Sequence, residues 1–255
     1  MSHSVRLVIA GAAGRMGQAI ARCALADSVF AVGAAFEMRG HAGVGTDYGT
    51  LLGRPAPLGV RLLDDAKAAI GQGDVVIEFT LPEPTIEHVK LAHAAKKPMV
   101  IGTTGLSDAH VGVLREAANT IPIVFSPNMS VGVNLLFELA QLAAQRLGAT
   151  FDVEVVEAHH KQKKDAPSGT AKRLANELAA VRKQLAGAVP VHAVRAGDIV
   201  GDHTVILAGP SERLELTHRA HNRDVFAQGA LKAAQWIAHR RPGLYDMGDV
   251  LKGHA

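Results

Sequence analysis

Val5-Arg6-Leu7-Val8-Ile9-Ala10-Gly11-Ala12-Ala13-Gly14-Arg15-Met16-Gly17 places an apolar strand, a glycine turn and the start of a helix in immediate succession. A parallel sheet that receives a phosphate at a helix N-terminus needs those three parts in that order. The glycines follow a G-x-x-G-x-x-G spacing rather than G-x-G-x-x-G, yet each keeps a physical role. Gly11 serves the tight turn, Gly14 lets a pyrophosphate approach the backbone, and Gly17 lets helix and strand pack closely. Glu37 follows Gly17 by roughly the twenty residues expected of an acid that binds a ribose hydroxyl pair. A lone glycine pattern is often a mere turn. Strand, helix and downstream acid together point to a dinucleotide cofactor.

The rest of the first half repeats the strand–helix rhythm. Strands are predicted at Arg6 to Ala10, Phe30 to Ala35, Asp74 to Phe79, Pro98 to Gly102 and Pro122 to Phe125. Helices fit at Arg15 to Ala26, Asp64 to Ile70, Pro84 to Ala95 and Ser107 to Asn119, with Ser107 as a cap. Arg39 to Pro57 is Gly- and Pro-rich and aperiodic, and reads as a long loop. This is the pattern of an α/β, Rossmann-like, doubly wound parallel sheet.

After Asn128 the rhythm changes. A helix is predicted from Val131 to Leu147, an alternating strand over Phe151 to Glu157, strands at Pro190 to Arg195, His203 to Ala208 and Arg213 to Ala220, and a helix from Asp224 to Ala238. The expectation is a dinucleotide-binding domain at 1–128, rejoined by the tail 240–255, and a second α+β substrate and oligomerisation domain at 129–239. No internal repeat or low-complexity tract interrupts either part.

Glu157-Ala-His-His-Lys-Gln-Lys-Lys-Asp-Ala-Pro-Ser-Gly-Thr-Ala171 carries the chemistry of the second part. Pro167 disfavours helix at Ala166, Ser168 can cap, and a helix should run from there to about Ala186. Helix N–H groups at Gly169 and Thr170, the positive end of the dipole and the lysines then converge on one small, multiply charged anion. Gly169 lacks a Cβ and so admits it close to backbone. His159 and His160 lie at a strand's carboxyl end, and histidine titrates near neutral pH, which suits proton transfer. A solvated basic loop is the plainer reading of such a run. A metal site is not expected, because the adjacent histidines lack helical ligand spacing and no cysteine cluster accompanies them. Gly102-Thr103-Thr104-Gly105 and Ser126-Pro127-Asn128-Met129-Ser130 follow strands and can offer polar groups to a nicotinamide, although each alone reads as a polar turn.

Composition narrows the classes. The chain has 255 residues, 48% of them hydrophobic, enough for a full core. Its formal charge of +3 and pI of about 9.1 suit acidic small molecules. At 4% aromatic residues it lacks the stacking platforms of single-strand nucleic-acid binders. Cys23 is the single cysteine, which excludes an intrachain disulfide. No run is apolar enough to span a bilayer and no signal-peptide core opens the chain, so the expectation is a cytoplasmic protein without nucleic-acid or membrane partners.

These motifs together resemble the dihydrodipicolinate reductase family. Ala10 to Gly17, Val100 to Gly105, Asn128 to Asn134, Glu157 to Ala171, Val194 to Gly201 and Gly243 to Met247 all carry the likeness, and Glu157 to Ala171 is the most specific. The resemblance implies a two-domain reductase, usually a homotetramer, that uses NADH or NADPH on a small cyclic dicarboxylate in the diaminopimelate route to lysine. It implies that Gly11, Ala12, Ala13, Gly14, Arg15, Met16 and Glu37 hold the dinucleotide, with Met38 and Arg39 setting cofactor choice. Gly102, Thr103, Thr104, Ser126, Pro127, Asn128 and Met129 would surround the nicotinamide end. His159 and Lys163 would be the acid/base pair, and His160, Lys163, Gly169 and Thr170 the substrate clamp. Two departures stand out: Leu185 to Pro190 runs directly into the next strand where the family carries a longer loop, and Met38 stands where many members have arginine. Alternatives are a reductase of another small dicarboxylate on the same scaffold and a non-catalytic nucleotide sensor.

Overall fold

The computed structural model describes residues 4–181 and 188–253. It divides into two compact units, one formed by the chain up to Met129 together with the chain from Phe226 onward, the other by Ser130–Val225.

The first unit holds β1 (Val5–Ala10), α1 (Arg15–Leu25), β2 (Phe30–Phe36), α2 (Tyr48–Leu51), β3 (Leu62–Leu63), α3 (Ala66–Ile70), β4 (Val75–Glu78), α4 (Pro82–Ala94), β5 (Met99–Ile101), α5 (Asp108–Ala117) and β6 (Pro122–Phe125). Its sheet is parallel throughout and runs β11-β6-β5-β4-β1-β2-β3, where β11 is Gly243–Tyr245 from the chain's tail. The strands are near-continuous apolar runs because helices cover both faces. Leu7, Ile9, Val76, Ile77, Val100 and Ile123 are wholly buried. Each such side chain contributes about 1.5 to 3 kcal/mol relative to exposure. Ser107 caps α5 by accepting from His110 N–H.

The second unit holds α6 (Val131–Leu147), β7 (Asp152–His159), α7 (Gly169–Val181), β8 (Val191–Arg195), β9 (Asp202–Ala208) and β10 (Arg213–Arg219), its sheet ordered β10-β9-β7-β8. β7 pairs antiparallel with β9 and parallel with β8, so the sheet is mixed. Val133, Phe137, Ala140, Val153, Val155, Leu174, Leu178, Val205 and Leu207 form its core. Ser168 caps α7 through its hydroxyl, which accepts from Ala171 N–H. The predicted extension of this helix toward Ala186, and Leu185 to Gly187 of the shortened loop, fall on 182–187, outside the described residues.

The structure corrects the sequence in two places. Arg39 to Pro57 is not simply a loop: it carries α2, whose Tyr48 is fully buried. A single turn with one anchoring aromatic gives no periodicity to read. Helix α8 (Asp224–Ile237), assigned from sequence to the second domain, joins the first unit from Phe226 onward. Its buried face is Ala227, Ala230, Leu231, Ala233, Ala234 and Ile237. Gly229 allows the contact, because a Cβ there would stand 1.7 Å from the Met129 carbonyl oxygen. Trp236 meets Tyr245 edge-on with ring centroids 5.0 Å apart, and α9 (Met247–Lys252) follows β11. Among the described residues no helix is long and apolar enough to cross a membrane.

Candidate functional site

In the first unit the parallel register brings the loops after β1, β2, β5 and β6 to one edge of the sheet, the carboxyl edge where such folds bind ligands. Gly11 has φ +58, and a Cβ there would stand 2.8 Å from Thr80 Cγ2. At Gly17 a Cβ would meet the Gly11 carbonyl oxygen at 2.4 Å, so α1 rests on the turn only because both residues are glycine. Gly14 is exposed and caps α1 without any side-chain hydrogen bond, which leaves the first helical turn, with Arg15 and Met16, open to an anion. The Ala12 and Ala13 N–H groups are engaged internally: Ala12 N–H donates to Phe36 O at 3.1 Å and Ala13 N–H to Glu37 Oε2 at 3.1 Å. Glu37 Oε1 also accepts from Met38 N–H at 2.9 Å, which sets its carboxylate beside the turn. Met38 is 72% exposed, and Arg39 is exposed as well.

Sequence reasoning missed the brace beneath this turn. The buried Tyr48 hydroxyl donates toward Ala12 O at 2.8 Å and Gly17 O at 3.1 Å, tying both ends of the glycine turn to α2. Burial holds its phenol above the ordinary value, so it remains a donor. At the neighbouring strand ends, Gly102 accommodates the Phe79 ring, which a Cβ would approach to 2.2 Å. Thr103 is buried and its Oγ1 accepts from Thr85 at 2.8 Å. Thr85 in turn belongs to a network around buried Glu78, which accepts from Thr80 N–H at 3.0 Å and bonds His88 Nδ1 at 2.7 Å. Thr104 and Pro127 are exposed, Asn128 is half-buried, and Ser126 and Met129 are buried. Ser126 Oγ donates to Asn128 O at 2.8 Å, fixing that loop.

The second unit gathers His159, His160, Lys163, Gly169 and Thr170 between the end of β7 and the start of α7. Alternation along β7 puts Val153, Val155, Glu157 and His159 on its buried face, so an apolar row ends in a carboxylate and an imidazole. Glu157 is wholly buried and accepts from four donors. They are His159 Nδ1 and Arg195 Nη1 (2.9 Å) on one oxygen, and Arg195 Nη2 (2.8 Å) and Ser168 N–H (3.1 Å) on the other. Burial alone would raise this carboxyl, but the bonds from Arg195, His159 and Ser168 outweigh it and hold it below the usual range. Burial pushes His159 below its ordinary value despite Glu157, with Lys163 and Arg195 pushing the same way. His203 meets the His159 ring edge-on at 5.2 Å, and burial takes it down to about 4.

Lys163 Nζ lies 2.9 Å from Asp165 Oδ1, and Lys163 N–H donates to His160 O at 3.1 Å, which folds the basic loop into a turn. Arg195 Nη2 also donates to Asp165 O at 2.5 Å, tying that loop to β8. His160 Nδ1 is buried without a partner among the described residues and so retains capacity for a ligand. Gly169 is exposed, with nothing within 4 Å of where a Cβ would stand. Glu157 and Arg195 were inside motifs read from sequence but were given no role. The period-2 face ending at His159 was the signal for Glu157; nothing local signalled Arg195, which arrives through strand pairing.

The braced glycine turn with the Glu37 carboxylate beside it fits a dinucleotide, and the reductase family that the chain matches makes it an oxidoreductase of the pyridine-nucleotide class. Residues 5–129 match the family described as dihydrodipicolinate reductase, N-terminus, and residues 132–251 its C-terminus. The chain belongs to the dihydrodipicolinate reductase family. It is 46% identical to the 4-hydroxy-tetrahydrodipicolinate reductase of Anaeromyxobacter dehalogenans strain 2CP-1 / ATCC BAA-258, over 96% of this chain and 97% of that protein. To that of Thiobacillus denitrificans it is 45% identical, over 97% and 98%. The dipicolinate-bound dihydrodipicolinate reductase from Paenisporosarcina sp. TG-14 superposes with a TM-score of 0.81 at 26% identity, covering 98% of this chain and all of that one. An amine dehydrogenase from Mycobacterium smegmatis shares the fold at a TM-score of 0.64 and 14% identity, over 97% of this chain and 96% of that one.

Proposed function

We infer that the chain catalyses the nicotinamide-dependent reduction of 4-hydroxy-tetrahydrodipicolinate, or its dehydrated form, to tetrahydrodipicolinate in the diaminopimelate route of lysine biosynthesis. The observation that carries this reading is the juxtaposition of a basic loop, an open helix N-terminus at Gly169 and a buried carboxylate–imidazole pair, in a chain related over nearly its whole length to reductases of that name. The substrate is a ring with two carboxylates, the kind of small polyanion such a site receives.

Gly11, Gly14, Arg15, Met16 and Glu37 hold the dinucleotide, with the Ala12 and Ala13 backbone shaping the turn and Gly102 to Thr104 and Ser126 to Met129 lining the strand ends. The bound cofactor supplies a hydride. His160, Lys163, Gly169 and Thr170 bind the carboxylates, fixing the ring before chemistry so that orientation is not lost in the reactive step. His159 or Lys163 delivers the proton that completes reduction. Burial holds His159 neutral at rest, and it takes up a proton as the dicarboxylate's charge approaches it. Glu37, Met38 and Arg39 favour NADH at least equally with NADPH, because a 2′-phosphate meets the Glu37 charge and Met38 offers no cation.

We place the enzyme in the cytoplasm, consistent with its single free Cys23. We further propose a homotetramer built through the second unit's sheet, whose edge strands β8 and β10 carry Val194 and Leu214 at 44% and 41% exposure. Loss of reduced-nicotinamide absorbance on adding freshly made dihydrodipicolinate tests the activity, and competition by pyridine-2,6-dicarboxylate tests the substrate class. No turnover with either cofactor overturns the reading, and light scattering that finds only monomer at micromolar concentration overturns the assembly.

A further inference from the structure

We propose that Glu157 is a positioning residue of the reaction: held by Arg195, it fixes the His159 ring with Nδ1 protonated, so that Nε2 alone exchanges a proton with the substrate. The inference rests on the reductase reading above and adds to it two residues that the reading gives no role.

The geometry carries the argument. A wholly buried carboxylate with two guanidinium N–H groups and a backbone N–H on it is ionised and can only accept. The imidazole nitrogen against it must therefore carry a hydrogen, which makes Nδ1 the donor and leaves the lone pair on Nε2. Nε2 points toward Gly201, where a Cβ would approach it to 3.1 Å; the missing side chain leaves that nitrogen room. Among the described residues Nε2 has no hydrogen-bond partner of its own.

The same carboxylate organises the rest of the site. Through Ser168 N–H it holds the residue that caps α7, whose first turn contains Gly169 and Thr170. Through Arg195 it reaches Asp165 O, and the Asp165 carboxylate bonds Lys163. One buried group on β7 thus sets the imidazole, the anion-binding helix end and the lysine loop together. The groups that face His159 are Glu157 on its own strand, Lys163 on the following loop, Arg195 from β8 and His203 from β9. Glu157 is the only anion among these four, so its charge alone favours the protonated ring against two cations and burial.

Nitrogen NMR of the full-length chain labelled at histidine, recorded without substrate or cofactor, tests the tautomer directly. The expected result is His159 with Nδ1 protonated and Nε2 bare. A ring protonated at Nε2 overturns the proposal, and this measurement needs no variant. Glu157→Gln is the isosteric change. It should lower the His159 titration, move the high-pH limb of kcat to lower pH and reduce kcat on the order of 10²-fold, with cofactor KM within about threefold. Unchanged His159 titration and an unmoved pH limb in a folded Glu157→Gln would show a merely structural residue and refute the assignment. Wild-type protein that does not turn over dihydrodipicolinate sinks the reductase reading instead, and leaves the tautomer result standing.

Discussion

The glycine turn of the first unit and the Glu157 cluster of the second are built of opposite materials. The turn is made of backbone and of side chains that are absent: Gly11 and Gly17 hold positions where a Cβ would meet neighbours at 2.8 and 2.4 Å. Its Tyr48 brace, a phenol that burial holds above the ordinary value, stays protonated through the working range. The Glu157 cluster is made of charged and titratable side chains, an ionised carboxylate between a guanidinium and an imidazole with a second histidine behind it. A site built from shape is vulnerable to added volume and indifferent to pH. A site built from buried charge responds to pH as well, because each group depends on its partner's protonation.

The largest expected effect separates the two sites by function. Lys163→Ala should cut kcat/KM for the dicarboxylate by on the order of 10² to 10⁴ while cofactor affinity stays within a few-fold. Steady-state kinetics combined with cofactor titration would check it, and a near-normal kcat/KM would remove Lys163 from the chemistry.

Added volume at Gly17 should injure the first site. Gly17→Ala forces α1 away from the Gly11 carbonyl, so stability should fall by about 1 to 3 kcal/mol and the cofactor dissociation constant should rise. Urea unfolding and calorimetric titration would measure both. The loss should be the same at pH 7 and pH 5, since no titrating group is touched.

Acid should injure the second. His203 has a folded pKa of about 4, well below its ordinary value, so the unfolded chain binds the proton first as pH falls. Stability from this group is full above the unfolded pKa of about 6.5 and is lost on descent toward about 4. Its share is about 2 kcal/mol between pH 7 and pH 5. Glu157, with a lowered pKa, adds a further loss at lower pH, as its folded-state value is reached. Urea unfolding across this range in wild type and His203→Gln tests the assignment: the variant should show a shallower dependence, and equal slopes would disprove it.

The smallest effect tunes the first site without breaking it. Met38→Arg puts a guanidinium beside Glu37, where a charged hydrogen bond to a 2′-phosphate is worth about 1.5 to 3 kcal/mol, so the NADPH to NADH ratio of kcat/KM should rise roughly tenfold or more. A wild type that already prefers NADPH strongly would mean that Arg39 or Arg15 reaches the phosphate.

The two sites also differed in how they could be read. The glycine turn was legible because its parts are contiguous: strand, turn and helix lie within Val5 to Leu25, and their spacing is dictated by local backbone geometry. The strand end at His159 and the Ser168 cap were legible for the same reason. Tyr48 was not, since a single buried aromatic in an aperiodic stretch carries no pattern and meets Ala12 and Gly17 only in the folded chain.

Local sequence thus determined the parallel sheet, the glycine turn, the strands of the second unit and the basic loop, because hydrophobic periodicity and capping act over a few residues. Tertiary structure alone decided the partners of the buried charges. Arg195 reaches Glu157 across 38 residues through the β7–β8 pairing. Helix α8 joins the first unit because its small-residue face fits Met129 there. The physical reason is the same in both cases. A buried charge or a helix face is satisfied by whatever the fold brings to it, and the identity of that partner is not written in the neighbouring sequence.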